Sequence, residues 1–389
     1  MDCVGFGRVR AVLAAAWFGV LFGALIPRPA AACGGGGVTS QSSGVVANAQ
    51  RIVMSVRAAT TDVVVQIGVP ATTADYGVLI PTDTQPTLDP QPVSEQDLAA
   101  LDAATAPNVF VHQGSDSSGD GCGCLGTAAR NNAGGAPPGD GGVSVSAPVG
   151  IGPVEAVVLT GDTGDAVNGW LAANNFALSA DGQAIVAAYA ATGRYFIAIR
   201  RSDSATSGAA TSIGVHYTLQ GAHQKLSLGF SRLGAAPTVS FTLFNATATR
   251  TGPLAPYAAL RLNDLDQANL RAGHYADAVA AAVAAHGNQA FVLEDETSKA
   301  SLAARQVGQS LLGLIDDGAT IVRMSTVVAA GSLSGDAFFG AYDGGPINNT
   351  VYAQNETPAI AYASAGFLPV MVLAGLRRRR RRAPRPRGS

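Results

Sequence analysis

The most pointed chemistry in this sequence belongs to Cys122 and Cys124, which a single glycine separates. Two thiolates at that spacing can share one soft metal ion or close a small-ring disulfide with redox character. His112 and Cys33 would complete four ligands for zinc, although the spacings match no established zinc motif. A structural or pairing role for Cys33, Cys122 and Cys124 uses the same three residues. The five histidines, His112, His216, His223, His274 and His286, are scattered. His216 and His223 flank an expected hairpin turn, across which they could approach each other. Asp162, Asp165, Asp316 and Asp317 suit helix caps and turns. Residues 116–120 carry too few carboxylates for a calcium loop. The sequence contains no Gly-x-Ser-x-Gly elbow, phosphate loop or His-Glu-x-x-His. It therefore names no catalytic residue and no cofactor, and its metal candidates are Cys122, Cys124 and His112, with Cys33 as a fourth ligand.

Composition narrows the classes of partner. The chain has 389 residues, 47% of them hydrophobic and 13% charged, with 47 glycines and 20 prolines. The charged share is about half the ~25% of ordinary globular chains, and the formal net charge of −2 hides a sorting of charge along the sequence. Once the basic ends are set aside, the middle holds 14 basic and 26 acidic residues, about −12. Nucleic acid is excluded as a partner, because its binding needs a basic footprint.

The two ends read as targeting and anchoring segments. Arg8 and Arg10 precede an apolar run at 11–26, and three alanines at 30–32 offer a cleavage site. Residues 1–32 are thus a signal peptide, with Cys33 as the first mature residue. Lipidation of Cys33 is a second reading, disfavoured by the small Ala30. At the other end, 358–376 is 19 residues long and mostly apolar, within the ~17–25 that span a bilayer. It stops at Arg377, Arg378, Arg379, Arg380, Arg381 and Arg382, a membrane stop that keeps the tail 377–389 cytoplasmic and the acidic body outside. A short span ending in arginines also resembles a sorting signal removed by a processing protease.

Between those ends the pattern is α+β, with antiparallel strands dominating and helices packed against them. Residues 51–57 (RIVMSVR), 62–68 (DVVVQIG) and 76–81 (YGVLIP) read as strands. Ser94, with Asp97 three residues on, caps a helix through Leu98 and Leu101. The segment 113–142, ten of whose 30 residues are glycine, has almost no side chain able to build a core. It separates a front (33–112) from a back (144–342) that form one domain or two lobes. The back opens with a strand–helix–helix–strand unit: a strand at 154–160, helices capped by Asp162 and Asp181, and a strand at 195–201. Strands at 213–219, 225–230 and 238–245 are expected as a meander. Helices follow at 275–286 and 298–315, with strands at 288–293 and 320–328. Residues 343–357 read as a polar stalk.

These motifs, in this order, resemble a bacterial family known as domain of unknown function 2330. The likeness is carried by CGG at Cys33, AQRIVMSV at 49–56, DVVVQIGVPATTADYGVLIPT at 62–82 and LAALDAATAPNVFV at 98–111. It continues with GCGC at 121–124, VVLTGDTGDAVNGWLAANNF at 157–176, AAYAATGRYFIAIRR at 187–201 and TIVRMSTVVAAGSLSGDAFF at 320–339. Similar proteins often carry a second cysteine shortly after CGG, and this one does not. The resemblance implies a secreted or surface-tethered protein and carries over no catalytic residue. Two function classes follow. One is a non-enzymatic, membrane-attached binding or envelope-structural protein with a surface partner. The other is an exported hydrolase or thiol-redox enzyme whose site is assembled from distant residues.

Overall fold

The computed structural model describes residues 36–40, 47–69, 76–111, 142–202 and 211–353. Its architecture follows from the two-residue alternation of apolar side chains along extended chain. The hairpin of Ala47–Val56 and Thr60–Val69 shows this first, with Met54 opposite Val63 and Ile52 opposite Val65. Ile52, Met54, Val63, Val65 and Ile67 point to one face, Val53 and Val64 to the other, and all are buried. A strand apolar on both faces needs cover on both, and the hairpin accordingly lies inside an eight-stranded sheet. The order is Ala258–Arg261, Ala290–Ser298, Thr320–Ala329, Ala235–Thr247, the hairpin, Thr211–Gln220 and Thr87–Leu88.

The expected meander does not form. Ala235–Thr247 pairs parallel with Ala47–Val56 and antiparallel with Thr320–Ala329, while Thr211–Gln220 pairs with Thr60–Val69. The front hairpin has displaced the local partner, because its doubly apolar strands fill the sheet centre better than a one-sided meander. Strands from before and after the 112–141 interval thus interleave in one sheet.

A second sheet centres on Tyr195–Arg201, between Tyr76–Thr82 and Val154–Gly161, with Gly37–Ser40 at one edge and Val143–Val145 at the other. Val78, Ile80, Ile197 and Ile199 pack onto the first sheet in a shared core. Leu79, Leu159, Phe196 and Ala198 face outward, where helices Gly164–Ala173 and Ala180–Ala190 cover them with Val167, Leu171, Val186 and Ala190. Each such buried side chain contributes roughly 1.5–3 kcal/mol. The caps are Thr163 and Ser179 rather than the aspartates, since their hydroxyls reach Ala166 N (3.2 Å) and Gly182 N (3.1 Å). Gly164 lets the two helices touch, for a Cβ there would lie 2.4 Å from that of Ala187.

The far face of the first sheet is covered by Glu95–Thr105, Lys299–Ala304 and Gln309–Leu312, through Leu98, Leu101, Leu302 and Leu311. The described residues are therefore layered helix, sheet, sheet, helix, mixed in class and mostly strand, and all but three of the strand pairings among them are antiparallel. Tyr275–Ala285 fills the rest of the inner face with Ala278, Val279 and Val283. The helix expected over 298–315 is broken in two. Gln306 takes a left-handed φ of 63°, and Gly308 abuts Asp97 so closely that a Cβ would lie 1.9 Å from its carboxylate.

Residues 343–353 are not a free stalk. Thr350–Ala353 pairs parallel with Asn108–Val111, and Ile347, Val351 and Ala353 are buried in the main core. Their apolar side chains were too few and too widely spaced to register as a strand. No helix among the described residues is long and apolar enough to cross a membrane. The signal peptide 1–32, the span 358–376 and the arginine stop lie outside the described residues.

Candidate functional site

Cys33, Cys122, Cys124, His112, residues 116–120 and Arg377 to Arg382 also lie outside the described residues. Among the described ones, no three His, Cys, Asp or Glu side chains converge as metal ligands. His216 and His223 do not meet, because Thr211–Gln220 and Lys225–Leu226 belong to different sheets. His274 and His286 are exposed at the two ends of Tyr275–Ala285. What the fold assembles instead is three clusters of ionisable side chains at the seams between layers.

The first is built on the pairing of Thr60–Val69 with Thr211–Gln220. Register puts Thr218 opposite Asp62 and His216 opposite Val64, so the three polar side chains share the helix-covered face. His216 Nε2 lies 3.0 Å from Asp62 Oδ1, and Nδ1 lies 2.9 Å from Asp89 Oδ2. Thr218 Oγ1 donates to Asp62 Oδ1 at 2.7 Å, and Arg57 pairs with Asp62 Oδ2. Arg57 also reaches Asp316 Oδ1 (2.7 Å) and Leu314 O (2.6 Å), tying the strand to the turn after Gln309–Leu312. Burial works against the charge on His216, but the two carboxylates more than offset it and its pKa is raised. Burial likewise works against Asp62, yet the donors from His216, Thr218 and Arg57 hold its carboxyl well below the usual range. Only a doubly protonated imidazole can donate from both nitrogens. A carboxylate at each ring nitrogen and the raised pKa both favour the imidazolium form of His216, in which neither nitrogen keeps a lone pair for a general base.

The second cluster sits where the second sheet meets the small sheet of Lys225–Leu226, Ala337–Ala341 and Thr251–Pro253. Arg194 approaches Asp83 Oδ1 at 2.5 Å and Asp336 Oδ2 at 3.3 Å. Lys225 pairs with Asp83 and lies 3.6 Å from Asp336 Oδ2. Two cations and two anions therefore close a neutral ring. Tyr189 donates to Asp336 Oδ1 at 2.5 Å, and the Arg194 guanidinium lies 5.1 Å from the centre of its ring. Burial, reinforced by Asp336, pushes the Tyr189 hydroxyl far above its ordinary pKa, so it remains a phenol.

The third cluster is the deepest. Arg323, on Thr320–Ala329, puts Nε 2.5 Å from Glu294 Oε2 and Nη1 2.5 Å from Asp102 Oδ1. Glu294 is wholly buried, and its other oxygen accepts from Ser325 and from Tyr275 OH (2.6 Å). Asp102 closes helix Glu95–Thr105, where the helix dipole disfavours an anion. Arg51, at 2.7 Å, and Arg323 offset that cost, and Arg323 also caps the free carbonyl of Asp102 at 2.8 Å.

Asp295, beside this cluster, is the exception. Its side chain is buried, and Oδ2 has no hydrogen-bond partner among the described residues. Burial raises its pKa from 3.8 to about 6, although Arg305 and Arg323 oppose the shift. The folded state then holds a proton that the unfolded chain releases, so Asp295 lowers stability progressively as pH rises from about 4 to about 6. Asp295→Asn is expected to stabilise the protein by ~1 kcal/mol above neutral pH and by little below about pH 4.5. Thermal melts at the two pH values check this. A destabilised variant at the higher pH would count against it.

Asp62, Asp102, Glu294 and Arg323 escaped the sequence reading, which weighed clustered motifs. Their signal was charge set into apolar segments: Arg323 alone in the strand TIVRMSTVV, Glu294 directly after the apolar run AFVL, and Asp102 in the helix segment LAALDAAT. A buried charge demands a partner, and the partner comes from a distant strand or helix. The DUF2330 family, described as an uncharacterized protein conserved in bacteria, matches residues 29–310. No curated protein and no solved structure matches the chain. The match ends before Thr320–Ala329, an interior strand of the larger sheet that supplies Arg323.

Proposed function

The chain belongs to the DUF2330 family, and on that footing we propose that it is a non-enzymatic extracytoplasmic protein held at the membrane by residues 358–376. In this reading the layered domain is presented outside the cytoplasmic membrane to an envelope or surface partner. The observation that carries the non-enzymatic part is the closure of the charged clusters. Both nitrogens of His216 are spent on carboxylates, Asp83 and Asp336 share two cations, and Glu294 receives Arg323, Ser325 and Tyr275. A general acid or base needs a group whose proton is free to move to a substrate. These groups instead lock layer to layer. The location rests on the apolar segments at the two ends and on the arginines after Leu376.

Reporter fusions test the location. Alkaline phosphatase fused after Ser389 of the full chain should be inactive, and phosphatase inserted after Ala353 should be active. The reverse pattern would overturn the topology. The intact mass of the mature protein should show loss of residues 1–32 and retention of Arg377 to Arg382. Loss of those arginines would replace the permanent anchor with protease-processed surface attachment.

A further inference from the structure

Most large apolar side chains of the described domain are buried, and Phe110 and Tyr352 stand against that trend at 54% and 67% exposed. They are partners in the parallel pairing of Asn108–Val111 with Thr350–Ala353, and their rings stack at 5.5 Å with an interplanar angle of 24°. Alternation turns Val351 and Ala353 into the core and leaves Asn108, Phe110, Thr350 and Tyr352 on the outer side. That outer side carries no charge, although the middle of the chain is strongly acidic.

The chain itself indicates what this surface faces. Tyr352 precedes Pro358, the first residue of the apolar segment, by six residues. At ~3.3–3.6 Å per residue the linker reaches at most about 20 Å. The headgroup layer takes up roughly 5–8 Å of that on each side of the hydrocarbon. Aromatic rings with a polar tip partition to that layer, whereas an acidic surface so close to a bilayer gains nothing there.

We propose that Phe110 and Tyr352 form a lipid-docking element that seats the domain against the outer face of the membrane. The proposal rests on the membrane attachment argued above and adds to it a fixed orientation. The Asn108–Val111 and Thr350–Ala353 ribbon then lies toward the bilayer.

The test uses the full chain in vesicles of neutral phospholipid, with Tyr352→Trp as an exposed, conservative reporter and the unsubstituted protein as the blank for native tryptophans. The new indole should be quenched strongly by lipids brominated near the glycerol end of the acyl chain. Aqueous iodide should quench it several-fold less than it quenches free tryptophan, and adding Phe110→Ser should reverse both results. Flotation of the same vesicles through a gradient reports attachment separately. Protein that floats while its indole stays open to iodide would overturn the docking and leave the anchor standing. Protein that fails to float would overturn both. Shielding in native membranes without quenching in pure lipid would mean that a protein, and not lipid, covers the pair.

Discussion

Arg323→Met is expected to destabilise the domain by ~3–5 kcal/mol, the usual cost of removing one partner from a buried ion pair. Arg323 offsets two carboxylates at once. Without it, Glu294 remains wholly buried with hydroxyl donors from Ser325 and Tyr275 but no cation. Asp102 retains Arg51 alone, and the last turn of Glu95–Thr105 loses the donor to its carbonyl. Methionine fills a similar volume and keeps the contact with Phe244, whose ring centre lies 5.5 Å from the guanidinium, so the loss is electrostatic and not a cavity. Adding Glu294→Gln should recover more than half of it, because a neutral amide is far cheaper to bury than an orphaned carboxylate. Urea unfolding of the two single variants and the double variant would measure this as a coupling energy. A loss under about 1 kcal/mol for Arg323→Met would show that water reaches Glu294 and that the cluster is not closed.

The same cluster shows what sequence can and cannot disclose here. Strands at 51–57, 62–68, 76–81, 154–160 and 195–201 were legible because burial on one or both faces writes a short-range apolar pattern. The Ser94 cap was legible because the N–H it accepts from, that of Asp97, lies three residues away. Pairing was not. Nothing local says that Ala47–Val56 lies beside Ala235–Thr247, since the contact joins residues almost two hundred apart and depends on which doubly apolar strands win the sheet centre. The polar stalk was misread for the opposite reason. Thr350–Ala353 is only four residues long, and just Val351 and Ala353 face inward. The ionic clusters inherit this limit, for each joins residues that only the finished topology brings together. Of the site candidates among the described residues, His216 lies at the centre of a cluster, with Asp62 and Asp89 in place of His223; Asp316 joins the same cluster through Arg57, and His223 lies 3.9 Å from Asp83 at the edge of another.

His216→Gln should reveal that residue as a pH-gated clasp and not a base. The His216 pKa is raised in the folded state, so its contribution is fully present below the unfolded value of 6.5 and is lost as pH rises through the folded value. Asp62 is depressed, so its share is present above the unfolded value of 3.8 and fades as pH falls through its folded value. The two conditions overlap between about pH 4 and 6.5, where Asp62, His216 and Asp89 form a complete bridge. Glutamine is neutral and can serve one carboxylate but not both. The variant should therefore lose ~2–3 kcal/mol near pH 5.5, and the gap to the unsubstituted protein should narrow toward alkaline pH as His216 gives up its proton. Denaturant titrations in acid and in alkaline buffer read that difference, and the imidazole nitrogen shifts report the proton directly. A gap that stays constant or widens with pH would mean a neutral ring in the folded protein. His216 would then have a lone pair available, and the case for reading these clusters as fastenings would lose its first example.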